Sequence, residues 1–378
     1  MPTSNEDIRD DIVRRRVEVN RFAKGLAARM RAILNRAEPE LRARLKSRLA
    51  RAGLLNADPG PATTANLVRI SRLIDELNSP TFDDINALVR TELVKFAQAE
   101  AIASAANIAG DLPLLVSLTV PDARALRSIV FARPMESRIL RDWLKSYELN
   151  DRRRFMDEIR QGVLFNETPT QIGARIFGTQ ANEGTDGARE ITRRGAQTLA
   201  NTATAAIFTG VLDALYRANT RIIKQEQYVA TLDSRTTPIC RSLDGKRYKV
   251  GKGPKPPIHL NCRSVRVPVI DGRKLSGRPA NAATERQLAG LRGPARRRAV
   301  SKLVGQVPGD TTYQQWLTRQ TVAFQNEVLG PTRGVLFRKG GLTLDSFVDR
   351  SGKQYNLRQL YERETAAFQR AGVPAPTL

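Results

Sequence analysis

A chain of 378 residues has room for two or three domains with sizeable cores, so size alone calls for no disulfide or metal staple. Its 62 Lys and Arg against 38 Asp and Glu give a formal net charge of +24 and a pI near 10.9, a long-range positive potential that draws polyanions. The amphipathic segments lack the Trp- and Phe-rich face of interfacial helices, and the most apolar stretch, residues 101–120, is interrupted by Asp111 and Pro113, so nucleic acid is the expected polyanion and no membrane span is expected.

The opening "MPTSNEDIRDDIVRRR" is acidic and then basic, without the apolar core of a secretory signal, and a cytosolic, soluble product is expected. Phe22, Leu26, Met30, Ile33 and Leu34, continued by Leu41, Leu45 and Leu49, recur at three- and four-residue steps and predict a helix with a basic outer face. "NADPGPATT" reads as a loop, Val68 to Leu77 as a second helix, and "SPTFDDINALVRTELVKFAQAEAIASAANIAG" as a third that ends at Gly110. These segments, with shorter helices up to about residue 148, make a helical N-terminal domain, 1–148.

From residue 149 a second helical unit begins. "TPTQIGARIF" has Thr168 as an N-cap with Pro169 behind it, and the Ala- and Thr-rich "AREITRRGAQTLANTATAAIFTGVLDALYRAN" predicts a long, closely packed helix. The period then changes. "EQYVATLD" and "RSVRVPVI" read as strands and "LDGKRYKV" as a turn followed by a strand, so a small β-containing module lies near residues 225–270 of an otherwise mainly α chain. Residues 271–305 carry nine basic and two acidic side chains with scattered Gly and Pro. They read as a basic linker, extended or partly helical, suited to a phosphate backbone, with Arg273, Lys274, Arg292, Arg296, Arg297 and Arg298 as the expected nucleic-acid contacts. A C-terminal segment, 306–378, carries one helix over "TTYQQWLTRQTVAFQNEVLG", with a Thr312–Gln315 capping box and a Gly330 stop, and a last helix over "NLRQLYERETAAFQRAG".

The lone histidine and both cysteines fall in one window, "TTPICRSLDG" to "PIHLNCR". His259 and Cys262 have the spacing that lets one turn present two ligands, and with Cys240 they supply three of the four that structural zinc takes; Asp233, with Asp244 behind it, is the nearest candidate for the fourth. A Cys240–Cys262 disulfide, worth roughly 3 kcal/mol in the chain-entropy model, and reduced cysteines packed as small hydrophobes are the competing readings. A Cys–His nucleophile, or a metal-dependent nuclease working through His259 and Asp233, is the enzymatic alternative, and a plain DNA-binding protein is the other.

The order of these residues resembles the Mu F-like head morphogenesis proteins of tailed phages. That pattern is a strand ending in Asp-x-Arg-Thr, then Cys, Leu-Asp-Gly and Pro-Pro-x-His-Pro-x-Cys-Arg. Asp233, Arg235, Thr236, Cys240, Leu243, Asp244, Gly245, Pro256, Pro257, His259, Asn261, Cys262 and Arg263 match it. The chain has Leu260 where the family often has Pro, Ser264 where it often has a further Cys, and no acid in "RRGAQTLANTATAA", where the family often has Arg-Thr-Glu. The resemblance covers 149–270 and implies a non-enzymatic, low-copy minor head protein made in the host cytoplasm and carried in the virion. The partners it implies are the portal protein, the major capsid or scaffolding protein and packaged double-stranded DNA, with no membrane.

Overall fold

Val19, Ala23, Leu26, Ala27, Met30 and Leu34 sit on one face of α1 (Ser4–Arg51), and all are buried. Beyond Pro39 a second stripe, Leu41, Leu45 and Leu49, enters a separate cluster with Ile70, Ile74, Phe155, Ile159, Ile176 and Phe177. One helix therefore serves two cores. The computed structural model describes residues 4–52, 61–110, 112, 116–270, 278–283 and 285–376.

The sequence reading breaks the chain before Pro80, yet α2 (Pro61–Gly110) runs through it as one helix. An interior proline costs about 3 kcal/mol. Ile70 and Ile74 before it and Phe82, Ile85, Val89 and Leu93 after it are all buried, at about 1.5–3 kcal/mol each, so packing wins.

After α3 (Ala123–Phe131), α4 (Leu140–Leu164) and α5 (Pro169–Phe177), the Ala- and Thr-rich segment forms α6 (Ala188–Ala218), which packs on α1, α2 and α4. Small side chains let neighbours approach: a Cβ on Gly210 would lie 2.5 Å from Ile129 Cγ2. By length and composition α6 is apolar enough to cross a membrane, but 78% of its most apolar window is buried inside the protein. It is the central helix of the main core.

The expected module follows. β1 (Gln225–Val229) is the middle strand of an antiparallel sheet, flanked by β2 (Arg247–Lys249) and β3 (Val265–Val269), with Gln225 opposite both Lys249 and Val269. The short α7 (Pro238–Leu243) lies between β1 and β2, and β3 packs against α1 and α6.

The segment read as a linker contains β4 (Arg278–Asn281), α8 (Glu285–Leu288) and α9 (Gly293–Leu303), and β4 pairs with β5 (Val304–Val307). In the C-terminal segment the expected single helix is two, α10 (Tyr313–Thr318) and α11 (Val322–Leu329). Thr321 caps the second, and Gln325 Nε2 donates to the carbonyls of Leu317, Thr318 and Gln320 that the break releases. A further helix, α12 (Pro331–Lys339), precedes α13 (Leu357–Ala371), whose Asn356 cap and Gly372 stop lie where the sequence puts its last helix. Tyr313, Trp316, Phe324, Leu336, Phe347 and Phe368 give this segment its own core.

Candidate functional site

The sheet and α7 hold the two halves of the cysteine and histidine window together. β1 runs out through "ATLDSRTTP" into α7, which starts at Pro238 and carries Cys240 on its buried side. The return through β2 leads to a loop gripped from β3: Arg266 donates to the carbonyls of Pro254 (2.7 Å) and Lys252 (3.1 Å), and its Nε lies 3.4 Å from Glu226 Oε2 on β1. Burial raises the Glu226 carboxyl above its usual value against the pull of Arg266. The "HLNC" turn is then tied from outside the module. Asn261 takes a positive φ of 56°, Asn201 on α6 donates to its side chain at 2.9 Å, and Arg16 on α1 donates to the Cys262 carbonyl at 2.7 Å.

Cys240 Sγ lies 3.8 Å from Cys262 Sγ and 3.2 Å from His259 Nε2, and the three ligand atoms all fall within 4.8 Å of one another. Both thiols are free and buried. Zinc bound tetrahedrally at about 2.3 Å from sulfur and 2.0–2.1 Å from nitrogen would hold its ligand atoms roughly 3.5–3.8 Å apart. The two spacings from Cys240, 3.8 and 3.2 Å, lie within a few tenths of an ångström of that geometry. His259 Nδ1 is 2.8 Å from the Leu260 carbonyl, an acceptor that takes its proton and leaves Nε2 facing the sulfurs.

The two thiols share one negative charge. Cys262 is pulled well below the ordinary thiol value by the hydrogen bond from Cys240 and by His259, against a burial that opposes it, while Cys240 is pushed up by giving that bond and by burial. His259 is raised because the Cys262 thiolate outweighs the burial that lowers it. A cluster that already favours a thiolate is suited to a soft cation. Tyr228 adds its hydroxyl 3.3 Å from Cys240 Sγ, and the buried Ser264 side chain works to lower that thiol.

The structure brings together Cys240, His259 and Cys262 and leaves out the expected fourth ligand. Asp233 is committed elsewhere: both its oxygens take the Arg263 guanidinium, Oδ1 also accepts from Thr236, and Tyr313 on α10 donates to its carbonyl at 2.6 Å. Net, these contacts hold the Asp233 carboxyl below its usual value although burial raises it. Asp244 is equally occupied, accepting from the backbone of Ala230 (2.7 Å) and Tyr313 (2.7 Å) and from both terminal nitrogens of Arg278. The next residue, Gly245, has φ +81° and would put a Cβ 2.9 Å from Thr312 Cγ2, so "LDG" needs its glycine. Both motif acids dock the module onto the C-terminal segment.

Of the expected nucleic-acid contacts, Arg292 and Arg298 are exposed at the start and middle of the α9 region. Arg296 is half-buried and donates to the Leu288 carbonyl at 2.9 Å, Arg297 lies on α9, and Arg273 and Lys274 fall outside the described residues. The sequence reading missed Arg16, Tyr228, Arg278 and Tyr313, and also Arg241 on α7, which donates to the Val328 carbonyl at 2.7 Å. Arg16 stands 246 positions from the carbonyl it grips, a separation that no local motif encodes.

Residues 152–267 match the family model described as Phage Mu protein F like protein. No curated protein and no solved structure matches the chain.

Proposed function

We propose, from the match of residues 152–267 to the phage Mu protein F-like family, that the chain is a minor head protein bound to the portal or the inner capsid and lying close to packaged DNA. Head morphogenesis is the role of the family, and a virion location follows from it. The match over the α4–β3 region is the observation that carries this reading. The net charge of +24 supports the DNA part, because a protein inside a filled head is surrounded by phosphate. Its partners in this reading are the portal, the major capsid or scaffolding protein, and the genome. The helical N-terminal domain offers the protein-binding surface and α9 the phosphate contacts.

We further propose that Cys240, His259 and Cys262 hold a zinc ion that staples α7 to the "HLNC" turn. Zinc there would supply structure, by fixing the two halves of the module. The nuclease alternative loses its carboxylate, since Asp233 is engaged by Arg263, and no other acid joins the cluster among the described residues. The role is therefore read as structural and non-enzymatic.

Co-expression with the portal protein of the same phage tests the first proposal. A portal ring that co-purifies with the chain, and the chain's recovery from purified virions, are expected; heads that assemble and infect normally without it would overturn the reading.

A further inference from the structure

The turn from His259 to Arg263, with Arg235 and Thr237 before α7, forms one wall of a cavity of about 790 Å³ whose other walls come from α1 and α6. Six of its lining residues are basic, Arg16, Lys24, Arg31, Arg194, Arg235 and Arg263, and none is acidic. A concave site lined by one sign of charge concentrates the field and raises the local concentration of counter-ions.

Some of these cations are already engaged. Arg263 pairs with Asp233, Arg194 with Glu190, and Arg31 donates to the Arg193 carbonyl at 3.0 Å. Lys24 has no carboxylate partner among the described residues, Arg235 meets only the field of the Asp233 carboxylate already held by Arg263, and both are exposed. Arg16 is different again. It is only 8% exposed, has no carboxylate partner among the described residues, and its Nε is buried without a hydrogen-bond partner. A buried guanidinium nitrogen left without an acceptor is costly, and an anion in the cavity would relieve that cost.

The chemistry of the walls narrows the anion. Guanidinium forks match phosphate, and the amides of Gln197 and Asn201 add neutral donors. No Phe, Tyr or Trp lines the cavity, so a run of bases would find no stacking platform. Recognition is of backbone and independent of sequence.

We propose that this cavity binds phosphate groups of a nucleic-acid strand, as a second contact separate from α9 and set against the cysteine and histidine turn. It rests on the DNA-proximal reading above but makes a separate claim. Arg16 forms the buried floor, and Lys24 and Arg235 at the rim meet the strand.

The test is binding of a short labelled single-stranded oligonucleotide to the full chain across a salt series. The variants are Lys24→Gln with Arg235→Gln in the cavity, Arg292→Gln with Arg298→Gln near α9, and Lys339→Gln with Arg350→Gln as an equal loss of charge outside both. The cavity pair is expected to weaken binding about tenfold at low salt and to reduce the slope of log affinity against log salt by about 1.4. Its melting curve should stay that of the parent, because both side chains are exposed. Binding unchanged in the cavity pair overturns the inference, and a loss confined to the α9 pair would do so while leaving the DNA-proximal reading intact. An equal drop in the outside pair also overturns it, because the effect is then general charge. Inorganic phosphate alone, if it raises the melting temperature as much as the oligonucleotide does, assigns the cavity to a free anion and overturns the strand assignment.

Discussion

Arg278 holds Asp244 with both terminal nitrogens, Nη1 to Oδ2 at 2.8 Å and Nη2 to Oδ1 at 2.6 Å, in a pair that is almost wholly buried. The same carboxylate takes the backbone N–H groups of Ala230 and Tyr313, so one side chain ties β1, β4 and α10 together. The acid of the "LDG" motif is a joint between the β module and the C-terminal core. Removing one partner strands the other in a buried site, which typically costs about 3–5 kcal/mol. Arg278→Ala is therefore expected to lower stability by that amount in urea unfolding and to loosen the segment from residue 306 onward to protease. A loss under about 1 kcal/mol, the range of an exposed pair, would show that the joint does not depend on this contact.

The proposed zinc site predicts about one zinc per chain in protein purified without chelator. Structural zinc contributes about 10–16 kcal/mol of binding in small metal domains, so each of three protein ligands carries several kcal/mol. Cys262→Ser should lose the metal to a chelator that leaves the parent loaded, with a lower melting temperature. Ser264→Cys should tighten binding, because Ser264 is buried within electrostatic reach of Cys240 and a thiolate there offers a fourth soft ligand. Metal-free parent protein with the same melting curve as Cys262→Ser would remove the zinc proposal.

Gly210 shows how tightly α6 is packed. In an exposed helix, Gly to Ala stabilises by about 1 kcal/mol. Here the new Cβ would sit 2.5 Å from Ile129 Cγ2 and 3.2 Å from Arg133 Cδ, and overpacking of that kind typically costs 1–3 kcal/mol. Gly210→Ala is thus expected to destabilise by about 1–2 kcal/mol. A stabilised variant in thermal or urea melts would mean that α3 yields to the added methyl group.

Asp186 closes the loop before α6, accepting the Thr179 amide and hydroxyl at 2.8 Å each and the Asn182 amide at 2.9 Å. The Asn182 bond, followed by those from Thr179, lowers its carboxyl from the ordinary 3.8 to about 2. A depressed carboxyl pKa stabilises the folded loop above the unfolded value, and that contribution is lost as pH falls through about 2. The loop should therefore stay closed at pH 4 and open below about 2. A carbon-13 titration of the Asp186 carboxyl reads this directly. A midpoint at the ordinary 3.8, unmoved by Asn182→Ala, would contradict the closed loop.

Much of the fold was legible because its signals are local. The stripe from Val19 to Leu34, the Thr168, Thr312 and Asn356 caps and the alternation in "RSVRVPV" each concern neighbours within one or two turns, and each forms the expected element. The readings that changed turned on distant partners. Pro80 stops a helix unless both flanks have a core to enter, and the split after Thr318 is tolerated because Gln325 reaches back to the freed carbonyls.

By itself the sequence determined the helical class, the place of the β module, the family resemblance and the trio Cys240, His259 and Cys262, since all follow from spacing and order. Only the tertiary structure decided what the remaining motif residues do. Asp233 and Asp244 have the composition of metal ligands, but charged partners 30 and 34 positions away reached them first and made them struts. Arg16 acquires its role from a carbonyl 246 residues further along the chain. A buried charge takes whichever partner the fold brings within hydrogen-bond reach, and that choice is written in no single segment of the chain.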